Sequence, residues 1–305
     1  MPIDFMPSSA DPAAIDWITG RVVAAIERGD PGDAAALRFL LRRYCATDRA
    51  DLRDALEPGL AEGLRCQAAA ATIDERAAWL TLFAEAAAIS DDDRLRAAGA
   101  DLSGALRREW GRVAEVGSGA AGVEACLLAG SHLLDPQSIV PGAIDELERI
   151  VGAAYRPGGG LARSVDDPEG ARGRLADHVR TASALLTAFD VSDRLPYPML
   201  AEELIQFARE SMWNDAAGLF CDPADEAQRS FAINCAAAGV LYRLAALHGR
   251  SDYRAAAVIR PDADYGRDAA GILRSLAGTF RDQDATGAAY GLALLAVGEF
   301  QNPNC

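Results

Sequence analysis

Basic charge is what this sequence most lacks. Its 305 residues carry 30 Lys and Arg against 45 Asp and Glu, a formal net charge of −15 at pH 7. Such a surface repels DNA and RNA, whose binding rests on cations that neutralise phosphates. An anionic membrane surface is disfavoured for the same reason. β-branched residues are sparse while Ala and Leu dominate, which favours helix over strand. Long hydrophobic runs are also missing. The longest, Gly287 to Gly298, contains Tyr290 and ends at Glu299. It is too short to span a bilayer and reads as a buried helix. No basic stretch followed by an apolar run stands at Met1-Pro-Ile-Asp-Phe5, so no secretory signal is expected and the cytoplasm is the expected location.

Six cysteines are present, Cys45, Cys66, Cys126, Cys221, Cys235 and Cys305, but no Cys-x-x-Cys pair. No histidine stands at zinc-ligand spacing beside them, so neither a metal nor a cofactor is expected. They read as small buried hydrophobes in a reducing compartment, Cys305 excepted as terminal and exposed. The chain is long enough to bury a large core, as one domain or two.

Twelve helical segments are expected, over about 11–28, 33–46, 50–66, 74–88, 92–112, 118–130, 140–154, 173–190, 196–213, 230–248, 263–278 and 284–300, and no convincing strand. Asp30-Pro31 and Leu195-Pro196 look like helix starts. Thr72-Ile-Asp-Glu75 is a capping box, and Ser90-Asp-Asp-Asp93 resembles one. Pro58-Gly59 predicts a kink or break inside the third segment.

The segments alternate in character. Even-numbered ones are rich in Ala, Gly and Leu, as in Ala232-Ile-Asn-Cys-Ala-Ala-Ala-Gly-Val-Leu241. Helices so apolar must be covered on nearly all sides. Odd-numbered ones carry charged faces and read as an outer layer. Short Asp-containing turns near Thr47-Asp48, Ser90-Asp91, Asp135-Pro136, Ser192-Asp193 and Ser251-Asp252 give a weak repeat. Five inner–outer hairpins follow, and the last inner helix, 284–300, is left to pair with the first outer helix, 11–28. The expected fold is all-α, an α/α toroid of about six helical hairpins, formed by 1–305 as one domain. The outer-to-inner connections Arg156–Gly173 and Asn214–Ser230 are the long ones. Long loops on one face of a regular scaffold are where function usually sits.

The second half of the chain resembles a known family. Leu175-Ala-Asp-His-Val-Arg-Thr-Ala-Ser-Ala-Leu-Leu186 and Met212-Trp-Asn-Asp-Ala-Ala-Gly-Leu-Phe220 are similar to the helical C-terminal region of thioredoxin-domain-containing proteins related to spermatogenesis-associated protein 20. So is Leu241-Tyr-Arg-Leu-Ala-Ala-Leu-His-Gly249, after an Asn234 helix that looks like the family's Gly-Asn-Ser helix. That region has the fold of the six-hairpin glycosidases and N-acylglucosamine 2-epimerases. The resemblance therefore implies the toroid and, by analogy, a sugar-like small-molecule ligand. The chain departs from the family in lacking the thioredoxin domain and the Pro-His-Phe-Glu-Lys-Met segment. Ile233-Asn234-Cys235 stands in place of Gly-Asn-Ser.

Glu124 is the sharpest candidate, a lone carboxylate early in an inner helix. Burying it is costly unless it is paired or neutralised. It reads as a general acid or ligand anchor, or as half of an ion pair with Arg38 or Arg42. Asp177 opens the eighth segment on the face of Thr181, Ala184 and Ala188, a small-residue face that suits the lumen. Helix-dipole capping is its other reading. His178, a pocket ligand or a satisfied core histidine, follows. Asn234 is a lone polar group in an apolar helix, a ligand contact or else a cap or inter-helix hydrogen bond. Trp213, Asp215, Phe220, Asp222 and Asp225 form an aromatic-acidic loop over the same face. Aromatics beside paired carboxylates suit sugar binding and hydrolysis, although Asn214–Gly218 also makes an ordinary turn. Candidate catalytic residues are Glu124, Asp177 and Asp222; candidate binding residues are His178, Trp213, Asp215, Asn234, Arg38 and Tyr290.

His132 and His248 lie at inner-helix C-termini, on the face opposite His178, so a two-histidine epimerase is disfavoured. No Gly-x-Ser-x-Gly elbow supports a serine hydrolase, and Gly158-Gly-Gly160 lacks phosphate-loop spacing. Two readings stay open: a carbohydrate-binding toroid with glycoside hydrolase chemistry, and a non-catalytic binding or scaffold module.

Overall fold

The computed structural model describes residues 11–29, 33–222, 227–282 and 287–301. Among these are 13 α-helices: α1 (Pro12–Glu27), α2 (Ala34–Thr47), α3 (Ala50–Cys66), α4 (Ile73–Ala87), α5 (Asp93–Glu109), α6 (Val116–His132), α7 (Pro136–Ala154), α8 (Leu175–Ser192), α9 (Pro196–Met212), α10 (Ala227–Gly249), α11 (Ser251–Ala256), α12 (Tyr265–Leu276) and α13 (Gly287–Gln301). Two small antiparallel hairpins, β1 (Tyr155–Arg156) with β2 (Gly160–Leu161) and β3 (Trp213–Asn214) with β4 (Leu219–Phe220), precede α8 and α10.

The inner helices α2, α4, α6, α8, α10 and α13 pack in that order, and α13 returns to α2, closing a ring. Helices α3, α5, α7, α9 and α12 pack outside it, and α1 packs on α13. The fold is therefore an α/α toroid of six hairpins, closed by the pairing expected of the first and last segments. Its core is one continuous cluster of mostly Ala, Leu and aromatic side chains shared by both layers. By length and composition alone, Phe231–Gly249 could cross a membrane. In the ring that helix is covered by α8, α12 and α13.

Local chemistry explains the boundaries. Thr72 and Glu75 form the expected capping box at α4, with Glu75 N–H on Thr72 Oγ1 at 3.1 Å and Thr72 N–H on Glu75 Oε2 at 2.9 Å. Asp48 and Asp193 end α2 and α8 in the left-handed conformation, with φ of 49° and 54°. These are two of the repeat turns.

Several expectations need correction. α3 runs unbroken through Pro58, whose position is exposed, while Gly59 packs against Leu37. α5 is capped by Asp92, which accepts from Arg94 N–H, and not by Ser90. α2 is capped by Asp33; Asp30-Pro31 lies outside the described residues. The short α11 and the two hairpins had no counterpart in the periodicity, because neither is long enough to show one. Only Cys126 and Cys235 are buried; Cys45, Cys66 and Cys221 are exposed. Cys305 lies outside the described residues.

Candidate functional site

Each inner helix carries a stripe of less-buried positions spaced three or four residues apart. On α4 it is Asp74, Ala78, Thr81 and Glu85; on α6 Ser118, Ala121, Glu124 and Leu128; on α8 Ala176, Arg180 and Ser183; on α10 Ala232, Ala236, Gly239 and Arg243. Helical spacing puts each stripe on one face, and the closed ring turns that face to the axis. At the inner-helix N-termini these stripes open into a cavity of about 650 Å³.

The cavity is lined by Asp74 and Ser118, by Glu115 just before α6, and by Ala176, Asp177 and Arg180 of α8. Arg163 and Arg174 come from the connection between α7 and α8, and Ala232, Ile233 and Ala236 from α10. Arg180 Nη1 lies 2.9 Å from Asp74 Oδ2. Asp74 Oδ1 is enclosed and has no hydrogen-bond partner among the described residues. Arg163 reaches Glu115 only at 3.6 Å, with both side chains well exposed. Arg174 makes no ion pair among the described residues. The 30 cationic residues of the chain are all arginine, and three of their planar guanidiniums converge here, suited to forked contacts with a carboxylate.

Asp177 lines the cavity, yet both of its oxygens are held by backbone. Oδ1 accepts from Gly117 N–H at 3.0 Å and Oδ2 from Arg174 N–H at 2.8 Å, joining the first turns of α6 and α8. Burial raises its pKa, against the pull of those two amides and of Arg180 and Arg163. A Cβ at Gly117 would fall 2.6 Å from Asp177 Oδ1, so glycine permits the approach. Asp177 is thus on the lumen rim, whereas the face shared with Thr181, Ala184 and Ala188 is fully buried. The lumen stripe of α8 is one residue away.

His178 and Asn234 pin the two hairpins. His178 is fully buried; Nε2 accepts from Leu161 N–H at 3.1 Å and Nδ1 donates to Arg174 C=O at 2.9 Å. The ring is neutral in this arrangement, and burial pushes its pKa down. It stacks on Phe207 at 5.0 Å. Gly160, with φ of +67°, leaves room for both rings. Asn234 holds both the N–H and the C=O of Phe220, each at 2.9 Å. Asp222 Oδ2 caps α8 by accepting from Leu175 N–H at 2.8 Å. Trp213 donates from Nε1 to Asp215 at 3.0 Å and packs edge-on against Phe220. Neither Trp213 nor Asp215 lines the cavity. Asp225 lies outside the described residues.

Glu124 sits deeper in the lumen, below the cavity wall. Its Oε1 accepts from Ser183 Oγ at 2.6 Å and Thr187 Oγ1 at 3.0 Å, with Arg243 at 3.8 Å. The expected partners Arg38 and Arg42 are instead committed to Glu85 of α4, at 2.6 and 2.7 Å. Burial works against ionising Glu85, but the two guanidiniums outweigh it and hold its pKa at about 2. Arg38 is therefore a strut between the neighbouring inner helices α2 and α4, and it does not line the cavity. Tyr290 is a core residue, buried, stacked on Phe280 and donating to Leu273 C=O at 3.2 Å. Among the described residues, no group of three His, Cys, Asp or Glu side chains is placed to hold a metal ion.

Of the expected site residues, the cavity gathers Asp177 alone. Asp74, Glu115, Ser118, Arg163, Arg174 and Arg180 were not anticipated. The available signal was the phase of the stripes: Asp74 and Glu85 share one face of α4, as Arg180 and Ser183 share one of α8.

Solved structures of similar shape support the architecture. An unsaturated glucuronyl hydrolase from Bacillus sp. GL1 superposes with a TM-score of 0.67 at 10% identity, covering 95% of this chain and 96% of that one. A heparin-specific unsaturated glucuronyl hydrolase gives 0.66 at 12%, covering 95% and 98%. The fold is that of the six-hairpin glycosidases. The Listeria innocua protein Lin0763 gives 0.66 at 10%, covering 89% and 85%. No family model and no curated protein matches the sequence.

Proposed function

We propose that the mouth cavity binds an acidic carbohydrate and that the toroid cleaves its glycosidic bond, with Asp74 and Asp177 as the carboxylates. The observation that carries this reading is the convergence of Arg163, Arg174 and Arg180 with Asp74, Glu115 and Asp177 around one cavity of about 650 Å³. That volume is in the range of small-molecule sites. Guanidinium forks match a uronate carboxylate, and carboxylates match sugar hydroxyls. A ligand hydroxyl would also give the enclosed Asp74 Oδ1 the partner it lacks among the described residues. Two neighbours in fold are glucuronyl hydrolases, which motivates the choice of acidic sugar.

The test is turnover of unsaturated glucuronyl disaccharides, with calorimetry on the same ligands. Asp74→Asn is the informative variant, because Asp177 also caps two helices. Loss of turnover by about 10²–10⁴-fold with binding retained is expected. Asp74→Asn turning over like wild type would remove Asp74 from the reaction.

A second reading is a non-catalytic sugar-binding module. It is favoured by Asp177 and Asp222, whose carboxylates are engaged by the amides of Gly117, Arg174 and Leu175. It agrees with the resemblance of 175–256 to the helical region of thioredoxin-domain-containing proteins. It predicts binding with no turnover of any glycoside.

A further inference from the structure

Beside the mouth cavity lies a smaller pocket of about 220 Å³, lined by Glu115, Arg163, Ser164, Asp167 and Ala171. It shares Glu115 and Arg163 with the larger cavity. Its volume is below that of a self-sufficient ligand site, so it reads as an extension of its neighbour. The wall between the two is built on paired backbone. Val116 N–H donates to Arg163 C=O at 3.1 Å, Val165 N–H to Ala114 C=O at 2.9 Å, and Arg163 N–H to Ala171 C=O at 2.9 Å. Backbone is fixed there while the side chains are not: the Glu115–Arg163 approach is long and exposed, and such pairs contribute little.

The two compartments differ in chemistry. Arg174 and Arg180 belong to the large cavity alone. The small pocket has two carboxylates, Glu115 and Asp167, against the one shared arginine. Asp167 lies across Gly170, where a Cβ would displace it. Ser164 Oγ accepts from Asp166 N–H at 3.2 Å and keeps its own proton to donate. Carboxylates and a hydroxyl recognise neutral hydroxyl groups and repel a second anion.

Building on the reading that the mouth binds an acidic sugar, we infer that the small pocket is a second subsite for a neutral sugar unit. Arg163 then stands at the junction between the two units as a specificity-determining residue. The ligand class is a saccharide of at least two units, a uronyl residue joined to a neutral one. A uronyl–uronyl pair is rejected.

Calorimetry with D-glucuronic acid, cellobiouronic acid (glucuronyl-glucose) and a glucuronyl-glucuronate disaccharide tests this. Wild type should bind cellobiouronic acid at least tenfold more tightly than glucuronic acid, with no gain for the diuronate. Ala171 is exposed, so Ala171→Phe fills the pocket without touching the core. It should reduce cellobiouronic acid to the monosaccharide affinity and leave glucuronic acid unchanged. Asp167→Ala should lose most of the gain as well, should Ala171→Phe fail to fold. Equal wild-type affinities for the mono- and disaccharide overturn the subsite, as does a gain that survives both variants. Binding of glucuronic acid alone leaves the mouth reading standing while the subsite falls. Binding of none of the three removes both.

Discussion

The carboxamide of Asn234 holds the peptide of Phe220 from both sides, accepting from its N–H and donating to its C=O at 2.9 Å each. Both residues are buried, so neither backbone group has water to fall back on. Asn234→Ala should cost about 1–3 kcal/mol for each group left unpaired. The urea midpoint measures it. An Asn234→Ala protein as stable as wild type would show that β3–β4 is held from elsewhere.

His178 accepts from Leu161 N–H in the preceding hairpin, and it adds pH dependence. Its folded pKa is below the ordinary 6.5 because burial disfavours the charged ring. The unfolded chain therefore binds the proton first as pH falls. The stability contribution is complete above 6.5 and is lost progressively below it. Urea midpoints between pH 7.5 and 5 should fall in wild type. His178→Phe should be less stable throughout, because Leu161 N–H loses its acceptor, and should show a shallower slope. An unchanged slope would mean that another group sets it.

Glu85 of α4 holds two arginines of the neighbouring inner helix α2. Glu85→Gln leaves Arg38 and Arg42 facing each other, with an expected loss of about 1–3 kcal/mol, reduced from a fully buried pair because both arginines remain near 30% exposed. Held at about 2 instead of the ordinary 4.5, the carboxylate contributes stability that is complete above pH 4.5 and fades toward pH 2. Acid titration of wild type against Glu85→Gln should show the difference narrowing in that window.

Glu124 and Asp74 separate the lumen from the mouth. Glu124 is six residues below Ser118 on α6, about 9 Å along the axis. Glutamine still accepts from Ser183 and Thr187, and Arg243 keeps Asp190 at 2.7 Å. Glu124→Gln is therefore expected to change stability by less than about 1 kcal/mol and leave ligand affinity unchanged. Arg180→Ala, which strips Asp74 of its partner, should weaken an acidic ligand at least tenfold. Loss of turnover in Glu124→Gln with affinity and folding intact would move the chemistry down into the lumen.

The alternation of apolar and charged helices determined the ring by itself. A helix such as Ala232–Leu241 with no charge must be covered on nearly all sides, and the surplus first and last helices then have only each other. The capping box at Thr72 was equally local. Tertiary structure decided the phase of each inner helix. Composition marks α8 as inner, but one residue of rotation, about 100°, separates the buried Thr181 face from the Arg180 stripe on the lumen. It also decided what each polar residue is for. Asn234 looked like a ligand because it is polar in an apolar helix, and Asp177, His178 and Asp222 because they stand on the long-loop face. They are polar there because backbone amides at Leu161, Phe220, Gly117 and Leu175 need partners. Those amides come from segments 14 to 60 residues away, a distance over which helical periodicity carries no signal.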